Sequence, residues 1–170
     1  MKNTAVTLCA MAIFIALQTA SAAAERFKPF TLTSLDGTPT SFNDLLGKAT
    51  LVVFFYPTCK YCNVALPEIQ RLGDKYKNDG LSVVWINVIP EQEKLIAEWR
   101  AEHGYTVPIL LGGASVQRDY TLVMTPTHYL LDSEGKVLSK RAGYKAGDEK
   151  DLDRRIRQAL ALRTDSSPKD

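Results

Sequence analysis

Apolar runs alternate with amphipathic stretches along most of this chain. Continuous apolar and aromatic runs predict buried strands, and apolar residues at helical spacing predict helices between them. The predicted strands are 50–56, 81–88 and 107–111, with hairpins formed by 30–33 and 38–40 and by 127–132 and 137–142. The predicted helices are 60–78, 91–103, 115–120 and 148–162. This alternation predicts an α/β fold in which a central sheet carries helices on both faces.

The start of the chain has the pattern of a secretory signal peptide. Its apolar stretch over 5–17 is too short for a comfortable membrane span, and small residues over 22–24 fit a cleavage site before Glu25. We therefore expect residues 1–24 to be a signal peptide and the protein to be periplasmic. The alternative is an uncleaved membrane anchor facing the periplasm. Cys9 fits a lipobox poorly and would be lost with the peptide.

The rest of the chain suits one domain over 25–163, followed by a polar tail over 164–170 that we expect to be disordered. Its charge is nearly balanced, since the whole sequence has 21 Lys and Arg against 19 Asp and Glu. A near-neutral domain argues against an electrostatic nucleic-acid surface, so we expect no nucleic-acid partner. We also expect a monomer.

After cleavage, the remaining cysteines form one C-x-x-C pair, Cys59-Lys60-Tyr61-Cys62, where a predicted strand meets a predicted helix. This layout is typical of a thiol–disulfide redox site, because the free N–H groups and dipole of a helix N-terminus favour a thiolate on the first cysteine. The cation of Lys60 should act in the same direction. Zinc sites use the same spacing, but one pair supplies only two of the four ligands of a structural zinc. We therefore expect a redox-active disulfide and no metal or other cofactor.

The chain resembles periplasmic thioredoxin-like proteins of the TlpA/ResA/CcmG type over nearly all of the predicted domain. The matching features, in chain order, are Asp36-Gly37 in a hairpin, the C-x-x-C pair, Pro67 five residues after Cys62, and Thr125-Pro126-Thr127 before a strand and hairpin. The segment 91–111 matches the helix and strand that this family inserts into the thioredoxin core. The resemblance implies a thioredoxin-like fold with an N-terminal hairpin and a central helix–strand insertion. It also implies a cis bond at Pro126.

The resemblance further implies a thiol–disulfide oxidoreductase that reduces client proteins of the cytochrome c or copper-site maturation type. Cys59, at the helix end, is expected to attack, and Cys62, one turn deeper, to resolve the mixed disulfide. Pro126 should lie against the cysteines, and the backbone of Thr125 should pair with the client chain. The expected client-binding rim is Tyr56, Pro57, Thr58, Lys60, Tyr61, Met124 and Thr125. Because the periplasm is oxidising, a membrane donor of the DsbD/CcdA type would have to supply electrons.

The chain departs from these proteins around the cysteines. Thr58 stands where the family usually has a tryptophan, and Val53 and Ala65 stand where thioredoxin and this family place an acid. Cys62 must lose its proton to attack, and burial opposes that loss. His128, two residues beyond the proline, is the candidate proton acceptor. The alternative is a structural histidine packed against the sheet.

Two other functions stay open at this point. The protein could be a net disulfide oxidant or isomerase, because Lys60 would stabilise the reduced thiolate and so make the disulfide more oxidising. It could also be a non-enzymatic Cu(I) carrier that uses the soft thiolates of the pair, with His128 or Met124 as a further ligand. A peroxidase is less favoured, since Tyr56 stands where peroxiredoxins have a threonine three residues before Cys59.

Overall fold

The computed structural model describes residues 25–161. The predictions for the signal peptide, for Cys9 and for the tail over 164–170 lie outside the described residues. None of the helices in the described range has the length and apolar character needed to cross a bilayer.

The secondary structure follows the predicted order. The strands are β1 (Thr31–Ser34), β2 (Pro39–Ser41), β3 (Ala49–Phe55), β4 (Leu81–Asn87), β5 (Ile109–Leu111), β6 (Thr127–Asp132) and β7 (Val137–Ala142). The helices are α1 (Lys60–Tyr76), α2 (Glu93–His103), α3 (Gly113–Asp119) and α4 (Asp148–Ala161). Short 3-10 turns lie at Phe42–Leu45 and Lys77–Asp79. The predicted elements are therefore confirmed in type and order.

Element boundaries differ from the prediction where a local backbone rule applies. Helix α2 begins at Glu93 rather than at Glu91, because Glu91 adopts a positive φ of 57° that cannot continue into a helix. Strand β5 begins at Ile109, directly after Pro108, which lacks the N–H that a strand ladder requires. These shifts do not alter the topology.

The seven strands form one sheet in the order β2-β1-β5-β4-β3-β6-β7. Strands β3, β4 and β5 run parallel, whereas β6 pairs antiparallel with β3 and both hairpins are antiparallel. Strand β3 thus lies inside the sheet between β4 and β6. The end of β3 that leads into α1 is where the cysteine pair lies.

Strand β3 separates two apolar cores, because successive side chains point to opposite faces. Leu51, Val53 and Phe55 pack with apolar side chains of α1, α2 and α4 on what we call the α1 face. Val52 and Phe54 pack with Val116 of α3 and with aromatic side chains near the N-terminus on the α3 face. All side chains of β3 are buried, which explains its continuous apolar sequence.

Candidate active site

The cysteine pair lies where β3 leads into α1. Cys59 is the N-cap of α1 and Cys62 lies in its first turn. The two residues form a disulfide, with their Cα atoms 5.1 Å apart. Cys62 has no exposed surface, whereas Cys59 keeps 4 % of its surface exposed. Cys59 is therefore the cysteine nearer to solvent.

Two hydrogen-bond donors point at the sulfur of Cys59. The backbone N–H of Cys62 donates to Cys59 Sγ at 3.2 Å, and the hydroxyl of Thr125 donates to it at 3.3 Å. The carbonyl oxygen of Thr125 lies 3.6 Å from the same sulfur. When the disulfide is reduced, donors at these positions favour negative charge on Cys59. The N-terminus of α1 and the loop before β6 thus meet at one sulfur atom.

The loop before β6 is held in place by hydrogen bonds of its own. The Thr127 hydroxyl donates to the carbonyl of Met124 at 2.7 Å, and the N–H of Gly143 donates to the carbonyl of Pro126 at 2.7 Å. The peptide bond between Thr125 and Pro126 is cis. Among residues 25–161, the backbone N–H and C=O of Thr125 bond to no other backbone group. These groups are available to an incoming chain.

Apolar side chains are exposed in the segments that carry the disulfide and Thr125. Tyr61, Val123 and Met124 expose 59, 79 and 51 % of their surface. A groove of about 340 Å³ lies beside them and is lined by Tyr56, Val88, Ile89, Gln117, Leu122, Val123, Met124 and Thr125. The structure therefore brings three predicted rim residues, Tyr56, Met124 and Thr125, into one groove.

The other predicted rim residues differ in their exposure. Thr58 and Lys60 are exposed beside Cys59, as a client-binding role would require. Pro57 is buried, so its side chain offers little surface to a client. The part of Pro57 in client binding stays a prediction.

Cys62 has apolar surroundings. Val53 and Ala65, at the two positions where thioredoxin and the resembling family place an acid, are fully buried in the same cluster as Cys62. Desolvation of this kind disfavours a charged thiolate on Cys62 relative to its neutral thiol. The resolving step therefore needs a proton acceptor other than a carboxylate at either position.

His128 lies directly across the strand pair from Val53. The two residues are opposite in the antiparallel pairing of β6 with β3, so both side chains lie on the α1 face. The His128 ring is 4 % exposed, and within the described part of the chain no group hydrogen-bonds to its Nδ1. It lines a cavity of about 100 Å³ together with residues of β7 and α4, among them Arg141 and Asp148.

Burial decides the charge of His128. Desolvation by burial lowers the pKa of His128 to about 4, and the nearby cation of Arg141 is the second cause of this lowering. The imidazole is therefore neutral near pH 7, free to accept a proton but weak as a base. Its role as the acceptor for Cys62 stays a prediction.

A Cu(I) carrier would bind the metal through the two thiolates of the reduced cysteine pair, with His128 or Met124 as the expected further ligand. Between residues 25 and 161, no three His, Cys, Asp or Glu side chains are grouped as they would be around a metal ion. His128 faces Arg141 and Asp148 in its cavity and does not complete such a group with the cysteines. The use of the two thiolates for Cu(I) stays a prediction.

Asn63 and Trp99 were not identified from the sequence, although both connect to the site. The Asn63 side-chain amide donates to the carbonyl of Pro57 at 3.0 Å and accepts from the indole N–H of Trp99 at 3.3 Å. Asn63 and Trp99 are 36 residues apart in the chain. Their contact forms only in the folded protein, and no local pattern in the sequence indicates it.

Known proteins of similar sequence are thioredoxin-like proteins and thiol-disulfide oxidoreductases. Residues 23–140 match the AhpC/TSA family. The thioredoxin-like protein YneN of Bacillus subtilis is 31 % identical over 116 residues, which cover 67 % of this chain and 68 % of that protein. The thiol-disulfide oxidoreductase ResA of Geobacillus kaustophilus is 32 % identical over 126 residues, covering 73 % and 71 %.

A solved structure agrees at the level of the fold. The crystal structure of a thiol:disulfide interchange protein of the thioredoxin family from Chlorobium tepidum has a TM-score of 0.72 at 25 % identity, covering 83 % of this chain and 99 % of that one. The predicted thioredoxin-like α/β fold is thereby confirmed. The chain therefore belongs to the AhpC/TSA family and is one of its thioredoxin-like thiol–disulfide oxidoreductases, with Cys59 and Cys62 as the redox pair.

Proposed function

We propose that this protein is exported to the periplasm and reduces disulfides in client proteins through Cys59 and Cys62. The observation that carries the proposal is the position of the Cys59 sulfur, next to Thr125, which lines the groove and whose backbone bonds to no other backbone group among residues 25–161. The signal-peptide pattern of residues 1–24 supports export. An uncleaved segment would instead hold the same domain at the periplasmic side of the membrane.

The exchange has two steps that conserve atoms and electrons. The thiolate of Cys59 attacks one sulfur of a client disulfide, the client S–S bond breaks, and the leaving client sulfur takes up a proton. Cys62 then loses its proton and attacks the Cys59 sulfur, which releases the second client sulfur. The client gains two electrons and becomes a dithiol, while the protein is left as the Cys59–Cys62 disulfide. The exposure difference between the two cysteines supports this order.

Client binding would use the loop before β6. An extended client segment can hydrogen-bond to the N–H and C=O of Thr125, as in the addition of one strand to another. Apolar client side chains would contact Val123, Met124 and Tyr61, whose exposed apolar surface faces solvent in the free protein. Lys60 is the charged residue within the cysteine pair and would lie close to the reacting sulfurs.

A reductant in an oxidising compartment must be recharged. We infer that a membrane thiol–disulfide donor of the DsbD/CcdA type reduces the Cys59–Cys62 disulfide, and that clients are cytochrome c or copper-site maturation proteins. The relatives that carry the name thiol-disulfide oxidoreductase support exchange as the activity. The donor would approach the same exposed side of Cys59, so client and donor would compete for one surface.

A net oxidant or isomerase is the second candidate, and one observation favours it. The Thr125 hydroxyl donates to the Cys59 sulfur at 3.3 Å. This donor would stabilise the reduced thiolate, and such stabilisation makes a disulfide a stronger oxidant.

The reduction potential of the purified domain separates the two candidates. A client reductant should have a potential near that of thioredoxin, about −270 mV, whereas a strong oxidant should lie near about −120 mV. The redox state in the periplasm of the exporting host should agree, with Cys59 and Cys62 trapped by a thiol-alkylating reagent as free thiols. A strongly oxidising potential together with a disulfide in vivo would overturn the reductant proposal.

A further inference from the structure

A hydrogen-bonded bridge runs from helix α2 to the segment just before Cys59. Its centre is Asn63, which donates to the carbonyl of Pro57 and accepts from the indole N–H of Trp99. The two bonds use both ends of one amide group, so Asn63 can satisfy both partners at once. Neither bond involves a sulfur atom. The bridge does not itself require the disulfide.

Trp99 gives this bridge a rigid anchor. Its ring is 6 % exposed and packs against Phe55 at 5.3 Å and Tyr105 at 4.7 Å between ring centroids. Phe55 is the last residue of β3, the strand that leads into the cysteine pair. Trp99 therefore touches the approach to the site by packing, and through Asn63 by a hydrogen bond.

We propose that Asn63 is a positioning residue for thiol–disulfide exchange, which ties the segment before Cys59 to Trp99 of α2. Pro57 lies two residues before Cys59, and the N–H of Cys59 itself donates to the carbonyl of Tyr56 at 3.1 Å. A held Pro57 carbonyl thus limits how far the Cys59 backbone can move away from α1. The inserted helix α2 acts on the redox pair through this bridge.

The bridge matters most when the disulfide is open. In the oxidised protein the covalent bond already holds Cys59 beside Cys62, so loss of Asn63 changes their separation little. In the dithiol form only non-covalent contacts hold the segment before Cys59. Loss of the Asn63 bridge then lets Cys59 move to positions from which the disulfide cannot reform. Removing the bridge therefore stabilises the dithiol relative to the disulfide, because a constraint that pre-organises reacting groups is lost.

The test is an equilibrium with glutathione, in which one protein disulfide and two glutathione thiols give one protein dithiol and one glutathione disulfide. In Asn63→Ala, the equilibrium constant for reduction should rise roughly two- to tenfold, the range expected for the loss of one hydrogen bond. A tenfold rise corresponds to about 30 mV for a two-electron couple. Trp99→Phe removes the indole donor and should shift the constant in the same direction by less.

The controls separate positioning from general destabilisation. A residue that stabilises both redox forms equally leaves the equilibrium constant unchanged, even if its loss lowers the melting temperature. Asn78→Ala, at an exposed asparagine in the turn after α1, should give the wild-type constant. The double variant at 63 and 99 should shift no further than Asn63→Ala, because Trp99→Phe keeps an aromatic ring against Phe55 and removes only the donor to Asn63.

An unchanged or lowered constant in folded Asn63→Ala would overturn the proposal. If Asn63→Ala does not fold, Trp99→Phe is the deciding variant. A wild-type equilibrium constant in Trp99→Phe would then overturn the proposal. The assay needs no client and applies to either direction of electron flow. If client reduction were disproved, the positioning role of Asn63 would be unaffected. If the positioning role were disproved, client reduction would be unaffected.

Discussion

Thr125 and His128 are three residues apart in the chain, and their polar groups have opposite surroundings. The Thr125 hydroxyl lies in the loop before β6 and donates to the sulfur of Cys59. The His128 ring lies within β6, buried on the α1 face, and its Nδ1 finds no hydrogen-bond partner among the residues from 25 to 161. Nearness to each other along the chain thus does not give two polar residues the same role.

Because their surroundings differ, the cysteine site and the His128 cavity affect different properties of the protein. At the cysteine pair, donors meet an atom that gains negative charge during the reaction, so their effect is on the rate and the potential. In the His128 cavity, a neutral ring is held away from bulk water, so its effect is on the free energy of unfolding and on the pH dependence of that energy. Variants at the cysteines and Thr125 should change the exchange chemistry, whereas variants at His128 should change the pH dependence of stability.

The largest effect should come from the cysteines. Cys59→Ser should lower exchange with a small disulfide substrate to the uncatalysed rate, because a serine hydroxyl cannot take the place of the attacking thiolate. Cys62→Ser should keep the first attack and accumulate a mixed disulfide on Cys59, which intact-mass measurement detects. Full exchange activity in Cys59→Ser would show that the roles are assigned wrongly.

His128 should govern the acid stability of the fold. An unfolded histidine binds its proton near pH 6.5, whereas His128 in the folded protein binds it only near pH 4. Between these values the unfolded state holds more protons, so stability is full above pH 6.5 and is lost as the pH falls toward 4. The loss should reach about 3 kcal/mol. Denaturant unfolding between pH 7 and pH 4 measures it.

The variant His128→Asn cannot titrate in this range and should lose that part of the pH dependence. His103→Asn is the matched control, since His103 is the only other histidine and is exposed. The groups facing the ring, which are Arg141 on β7 and Asp148, Asp151 and Arg155 on α4, stay in place in both variants. Equal pH dependence in the wild type and His128→Asn would contradict the assignment.

The same variant tests proton transfer. A mixed disulfide preformed on Cys59 should be resolved by Cys62 at a rate that depends on pH. If His128 accepts the proton of Cys62, His128→Asn should slow the release, most strongly toward acidic pH, where unassisted thiolate is scarcest. An unchanged pH profile in a folded variant would show that His128 is structural.

The smallest effect should come from the Thr125 hydroxyl. Thr125→Val keeps the shape of the side chain but removes the donor to Cys59 Sγ. We expect a decrease of roughly two- to tenfold in the alkylation rate of Cys59 in the reduced protein below pH 7, since less thiolate is present. Thr58→Val, at an exposed threonine next to Cys59, should leave the rate unchanged. Equal alkylation rates in Thr125→Val and Thr58→Val would show that the Thr125 hydroxyl does not stabilise the Cys59 thiolate.

The sequence alone was sufficient for the elements, their order and the redox pair. Continuous apolar runs mark β3 and β4 because both faces of these strands are buried, and the C-x-x-C pair follows β3 at a helix start. Local backbone conformation changed only the boundaries of α2 and β5, through the positive φ of Glu91 and the missing N–H of Pro108. These features depend on residues that are close together in the chain, so they can be predicted from the sequence alone.

Contacts between distant segments needed the tertiary structure. The Thr125 hydroxyl meets the Cys59 sulfur across 66 residues, and Trp99 meets Asn63 across 36. The cavity beside His128 exists because β7 and α4 close over β6. Alternation along β6 places His128 on the same face as Val53, but burial and the surrounding charges set its pKa. Hydrogen bonds and desolvation depend on distances of a few ångströms, which are established only when the chain is folded.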